Sequence, residues 1–231
     1  LLKERGAVVN GKIGFPTAEE LENTDVILFY SEEGGRISTE ERANLDKFLK
    51  RGGGIVALHD SVCGNDAHWW KTIIGGAWEH GHSKWLEYNV PIYYVTQENP
   101  IIAGASNFEF DDEIYYDLHM MPEAKILAGS WTPDRRNARG TRLFQHIYDV
   151  SPQMWTYEKD NYRSFVWLQG HEYESFSQTH FRALLLRGIA WAGKRENVDT
   201  LCTKEELGSL KYPPGGPTAP EKAAAKLNVD P

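Results

Sequence analysis

The sequence predicts an α/β protein built on an open, doubly wound sheet. Three observations carry that expectation. Val26–Tyr30 (VILFY) and Ile55–Leu58 (IVAL) are continuous apolar runs, the pattern of strands buried on both faces of a parallel sheet. Thr17-Ala-Glu-Glu20 and Ser38-Thr-Glu-Glu41 are capping boxes, in which a hydroxyl and a glutamate three residues later satisfy each other's free backbone N–H groups and start a helix. The spacing of strand, helix and strand then fits a parallel βαβ unit.

Taken in order, Leu1–Gly6 reads as the last turn of a helix with Gly6 as its stop. A first strand and most of a first helix, with any signal peptide, are therefore expected to precede it. Ala7–Val9 is a short apolar strand, and the first capping box opens a helix over Ala18–Leu21. The second opens a helix whose Leu45, Phe48 and Leu49 keep the i, i+3, i+4 spacing of a buried face, stopped by Gly52–Gly54. A helix near Ala67–Ile74 ends at Gly75-Gly76. Lys84–Val95 contains extended structure, and Lys125–Trp131 is a strand. Met154–Tyr157 and Tyr162–Leu168, joined by Glu158-Lys-Asp-Asn161, form a small β-hairpin. Gln178–Lys194 is an amphipathic helix with Phe181, Leu184, Leu185 and Ile189 on its apolar face. The α/β domain thus covers residues 1–194. Residues 195–231 form an extended, Pro/Gly-rich tail or linker around Tyr212–Pro220, with Glu221–Leu227 long enough for two helical turns.

Composition narrows the partners. The chain has 231 residues, 25 Lys+Arg against 33 Asp+Glu, and a formal net charge of −8. Without a basic stripe, that balance argues against nucleic acid or an anionic membrane. No run of about 18 apolar residues is present, so no membrane-inserting helix is expected. Cys63 and Cys202 are too few for a disulfide framework. P-loop, GxGxxG, GxSxG and HExxH motifs are all absent, which withdraws the usual support for ATP, dinucleotide or serine-hydrolase chemistry.

Ligands of open α/β sheets bind beyond the carboxyl ends of the strands. His59 and Asp60 follow the IVAL strand, and His171 and Glu172 in Gln169-Gly-His-Glu172 follow the hairpin, so both pairs sit at strand ends. Imidazole there suits acid/base work or metal ligation; the plainer alternative is a histidine bonded to neighbouring backbone. His80-Gly-His82 has metal-ligand spacing if extended. Asp111-Asp-Glu113-Ile-Tyr115-Tyr116 puts carboxylates beside aromatics, or is a solvated acidic turn. His68, His119, His146 and His180 have no supporting context, and Cys63 reads as a packed thiol. The 8 Trp and 11 Tyr serve either as core or as platforms for a sugar ring.

Several of these pieces in order resemble the ThuA-like (trehalose utilisation) family, whose fold is similar to class I glutamine amidotransferases. They are Gly52–Asp60 (GGGIVALHD), Trp69–Trp78 (WWKTIIGGAW), His82, Asn99-Pro100, Asp111–Tyr116, Trp155, Gln169–Glu172 and Leu184–Ala192 (LLLRGIAWA), spread over about residues 7–194. The resemblance implies a flavodoxin-like open parallel sheet with helices on both faces. It also implies a bacterial protein of disaccharide or keto-sugar metabolism, and a divalent metal such as zinc as the cofactor candidate. Amidotransferases place a nucleophilic Cys at the turn where this chain has His59, so glutaminase activity is not expected. The Tyr212–Pro231 tail resembles the linkers joining such domains to further domains of one polypeptide; cytoplasm and periplasm both stay open, as does a homo-oligomer.

The expected function is a sugar-active enzyme with a small-molecule carbohydrate as partner. His59, Asp60, Glu113, His171 and Glu172 are the candidate catalytic residues, and Trp69, Trp70, Tyr115 and Trp155 would enclose the ring. His59, His82 and His171 would hold a metal. A non-catalytic sugar- or partner-binding module and a metal-dependent hydrolase of another polar substrate are the alternatives.

Overall fold

The computed structural model describes residues 1–133 and 148–211; the Tyr212–Pro231 tail and His146 lie outside them. Both capping boxes form. Thr17 and Glu20 bond reciprocally at the start of α1 (Ala18–Glu22), and Ser38 and Glu41 do so at α2 (Thr39–Lys50). In α3 (Ala67–Ile74) the Asp66 carboxylate accepts from the Trp69 N–H, and Gly75 ends the helix in the left-handed conformation. The chain then runs through α4 (Thr179–Ala192) to α5 (Lys204–Lys211).

Seven strands form the main sheet: β1 (Val26–Tyr30), β2 (Gly54–Leu58), β4 (Lys84–Tyr94), β5 (Phe108–Tyr116), β7 (Lys125–Pro133), β8 (Tyr148–Lys159) and β9 (Tyr162–Trp167). A ribbon of β3 (Gly76–Ala77) and β6 (His119–Met120) stands apart. The order in the main sheet is β1-β2-β9-β8-β7-β4-β5. Strand β2 shows why the class is α/β with helices on both faces. Ile55 and Ala57 pack with Leu45, Phe48, Trp70 and Ile74 of α2 and α3, whereas Val56 and Leu58 pack with Phe181, Leu184 and Ala190 of α4. Gly188 lets α4 lie directly on the sheet, since a Cβ there would fall 2.1 Å from the Phe165 ring.

The structure refines several expectations. Among the described residues only β1, β2 and β9 run parallel; β9, β8, β7, β4 and β5 pair antiparallel in turn, so the parallel part of the sheet is continued by an antiparallel one. Val26–Tyr30 is an edge strand rather than one buried on both faces, with Leu28 and Tyr30 exposed. Among the described residues Ala7–Val9 forms no strand, and Val8 is 94% exposed. The acidic segment Asp111–Tyr116 is no solvated turn but part of β5, paired residue by residue with β4, including Glu113 opposite Glu87. The hairpin is longer than its sequence signal, and a two-residue turn at Asp160-Asn161 joins β8 to β9. Beyond Lys194, Val198, Leu201 and Leu210 join the core around α4.

Candidate functional site

Three segments bring polar side chains to one point. At the end of β2 the chain turns sharply: His59 adopts φ 51 and opens a short 3-10 helix, His59–Val62. Left-handed backbone is unfavourable for a side chain, though less so for His, Asn and Asp, and costs on the order of 1–3 kcal/mol. The surroundings hold the turn in place. Trp70 Nε1 donates to the Ser61 carbonyl at 2.9 Å, and the Ser31 N–H donates to Ser61 Oγ at 3.1 Å.

The second segment is β5, where the period of two puts Glu113 and Tyr115 on one face. Both are buried, and the Tyr115 hydroxyl lies 3.1 Å from Glu113 Oε2. The third is the turn after β9, where Gly170 at φ 128 directs His171 back over the sheet. The buried Asp112 carboxylate fastens that turn: it accepts from the N–H groups of Gly170 (3.1 Å) and His171 (3.0 Å), from Ser175 Oγ (2.8 Å) and from its neighbour's N–H, that of Glu113 (2.8 Å). Two buried glutamines tie β5 to β8 and β9, strands far from it in the sheet order. Gln169 donates to the Glu113 carbonyl and to Gln153 Oε1 at 2.9 Å each, and Gln153 donates to the Tyr115 carbonyl at 2.7 Å.

The result is a compact cluster. His59 Nε2 lies 3.2 Å from His171 Nδ1 and 3.7 Å from Glu113 Oε2, and His171 Nδ1 lies 3.6 Å from the same Oε2. His59 Nδ1 faces the Leu168 carbonyl at 3.2 Å. A carbonyl only accepts, so in the neutral ring this contact assigns the hydrogen to Nδ1 and the lone pair to Nε2. That lone pair faces Glu113 and His171. A point equidistant from the three atoms lies about 2.0 Å from each, the length of ordinary metal–imidazole and metal–carboxylate bonds. The Leu168 carbonyl supplies the outer partner that orients a metal-bound imidazole. The donor set therefore fits a divalent ion.

Burial raises the Glu113 carboxyl above its usual range, against the opposing pull of His171, the Tyr115 hydroxyl and His59. Burial and the bonded Asp60 carboxylate raise the Tyr115 phenol far above its usual range. Tyr115 has one proton and several acceptors around it: Asp60, Glu113 and, at 3.4 Å, the Nε2 lone pair of His59. Burial, with the nearby carboxylates of Asp60, Glu33 and Glu113, pushes the Cys63 thiol far above its usual range and disfavours the thiolate.

Of the expected residues, His59, Asp60, Glu113 and His171 come together. Glu172 does not join them; it groups with Glu87 on the outer side of His171. His82 is not among the three facing donors and stacks on His119, ring centroids 4.6 Å apart. Trp70 and Trp155 offer no face to a sugar. Both are fully buried, with indole N–H groups donating to the carbonyls of Ser61 and Ile74. Trp69 is partly exposed but lies between Trp70 and the Arg42 guanidinium. Tyr115 contributes its hydroxyl rather than its ring face. Sequence reading missed Asp112, Gln153 and Gln169 as organisers, and Trp78, a half-buried ring 6.4 Å from that of Tyr115. The buried Trp78 Nε1 has no partner among the described residues.

Known proteins place this architecture. A putative ThuA-like protein from Bacteroides uniformis superposes with a TM-score of 0.57 at 20% identity, over 76% of this chain and 71% of that one. Another from Parabacteroides merdae gives 0.57 at 16%, over 80% and 77%, and a cytoplasmic protein from Salmonella typhimurium 0.56 at 13%, over 78% and 76%. At these identities they show a shared fold. No curated protein matches the chain. The family model for ThuA, trehalose utilisation, matches residues 8–192, from before β1 to the last residue of α4, and the chain belongs to that family.

Proposed function

We propose that this protein, within the carbohydrate-related role that its family carries, is a sugar-active enzyme in which His59, Glu113 and His171 hold a divalent metal such as zinc. The observation that supports this most is the His59–Leu168 contact, which leaves the His59 Nε2 lone pair facing two further donors. A bound metal would act as a Lewis acid toward a sugar oxygen and lower the pKa of a bound water.

The chain's own groups supply the rest. Tyr115 keeps its proton because burial and Asp60 oppose its loss, so it acts as a fixed donor beside the reacting oxygen. The half-exposed Asp60 carboxylate, in contact with that hydroxyl, is the group placed to take up a proton and pass it to solvent. The indole N–H of Trp78, without a partner among the described residues, suits a ligand hydroxyl or carbonyl oxygen.

The test is turnover of a panel of disaccharides and 3-keto sugars, together with metal analysis. His59→Ala and His171→Ala each lower turnover at least about 100-fold and lose the metal. Full activity in both variants on an identified substrate overturns the assignment. Calorimetric sugar binding without turnover by the metal-loaded protein would instead identify a binding module.

A further inference from the structure

A second group of imidazoles lies outside this cluster, on residues the sequence left without context. His68 projects from α3, Glu79 follows β3, and His119 lies in β6 opposite Ala77. His119 Nε2 is 2.5 Å from Glu79 Oε2, and His68 Nε2 is 4.0 Å from Glu79 Oε1. The His68 and His119 ring centroids are 4.6 Å apart, and one donor atom from each of the three residues lies within 4.8 Å of the others. His82 also stacks on His119, its ring plane within 18° of parallel.

We infer that His68, Glu79 and His119 form a second divalent-cation site, selective for zinc-like ions and separate from the His59 cluster. Two imidazoles and a carboxylate are the ligand types of a three-protein-ligand zinc site with one position left for solvent. The separations bracket the roughly 3.3 Å expected between donors around a tetrahedral ion, so small side-chain rotations suffice. The donors are accessible, with the His68 side chain 64% exposed and those of Glu79 and His119 38% and 20%, so an ion enters from bulk water without rearrangement of the core. His82 fixes the plane of the His119 ring and is a positioning residue. Because the ligands come from a helix and from both sides of a two-residue ribbon, the ion would clamp α3 to β3 and β6. No step of the proposed sugar chemistry uses it.

The experiment measures zinc stoichiometry by native mass spectrometry and equilibrium dialysis on chelator-stripped protein, with zinc alone as probe. Wild type should bind two ions. His68→Ala, an exposed position whose loss leaves the fold intact, should raise the dissociation constant of one of them at least about tenfold. Glu79→Gln should do the same, with circular dichroism as the check on folding. The double variant His59→Ala/His171→Ala should keep one ion, and that ion should be lost on adding His68→Ala, which separates this site from the proposed catalytic one. A single ion in wild type that survives His68→Ala and Glu79→Gln overturns the inference and leaves the His59 site standing. No bound zinc overturns both.

Discussion

Glu113 and Glu79 each face two histidines, yet their environments push them in opposite directions. Glu113 is buried on β5, and loss of solvation raises its carboxyl above the usual range despite His171, Tyr115 and His59. Glu79 lies at the surface, where the hydrogen bond from His119 lowers it. Composition is nearly the same at the two places; burial sets the sign. A buried cluster of this kind must be held by structure, because its groups do not favour one another enough to assemble unaided. The surface cluster needs no such support. The difference separates the proposed reaction centre from the proposed ion clamp at the surface.

The sharpest way to break that contrast is to remove the support. Asp112 accepts from Ser175 Oγ and from the N–H groups of Glu113, Gly170 and His171. Asp112→Ala leaves these donors without their acceptor and should cost about 3–4 kcal/mol in urea unfolding, at roughly 1 kcal/mol for each bond lost. His68→Ala should change the same midpoint negligibly in metal-free protein. A small loss in Asp112→Ala would mean that the turn carrying His171 holds itself.

Next in size is catalysis. Glu113→Gln keeps the shape of the side chain and removes its charge, so turnover on an identified sugar should fall at least about 100-fold, near 2.7 kcal/mol in barrier. Glu79→Gln should leave the same rate within a factor of about two, as expected of a group that binds no transition state. Equal losses in the two variants would erase the distinction between the clusters.

His180 sharpens the point about burial from another side. It is buried on α4 against the Phe108 ring with neither ring nitrogen bonded among the described residues, and burial pushes it down to about 4. The unfolded chain takes up a proton near pH 6.5 and the folded one only near 4, so stability is lost as pH falls through that window. Between pH 7 and 4.5 this amounts to roughly 2–3 kcal/mol. Unfolding of His180→Leu across that range should show a loss smaller by this amount, and an unchanged acid sensitivity would place the titration elsewhere.

Much of this was legible in the sequence, and the gaps have physical causes. The capping boxes, the α3 stop at Gly75 and the buried run Ile55–Leu58 are local signals, satisfied within a few residues, and they fixed the α/β class. His59 and His171 could be placed at strand ends because βα order dictates where strands finish. The pairing of β5 with β4 could not, since Asp111–Glu113 has the polarity of a turn and becomes a strand only when Gln169, Gln153 and the turn at Gly170 take up its polar groups. The roles of Trp70 and Trp155 were unreadable for the same reason: an indole that donates to a buried carbonyl and one that stacks on a sugar have the same sequence. His68, Glu79 and His119 belong to three segments up to 51 positions apart, and no spacing rule joins them.

The smallest effect is also the most direct test of the contrast between Glu113 and Glu79, because it reads a sign rather than a magnitude. In metal-free protein, Glu113 has a folded-state value above its unfolded 4.5, so the folded chain holds the extra proton. Its contribution makes stability fall as pH rises through the window above about 4.5. Glu79 has a folded-state value below 4.5, so its contribution is present above that pH and is lost as pH drops through the lowered value. The stability difference between wild type and Glu113→Gln should therefore move against wild type with rising pH, and that between wild type and Glu79→Gln should move in its favour. Urea midpoints from pH 3.5 to 6.5 with chelator present measure both. Two differences of the same sign would mean that the surface carboxylate is also desolvated, or that the buried one is solvated after all. Either result would remove the reason for treating one cluster as a reaction centre and the other as an ion clamp.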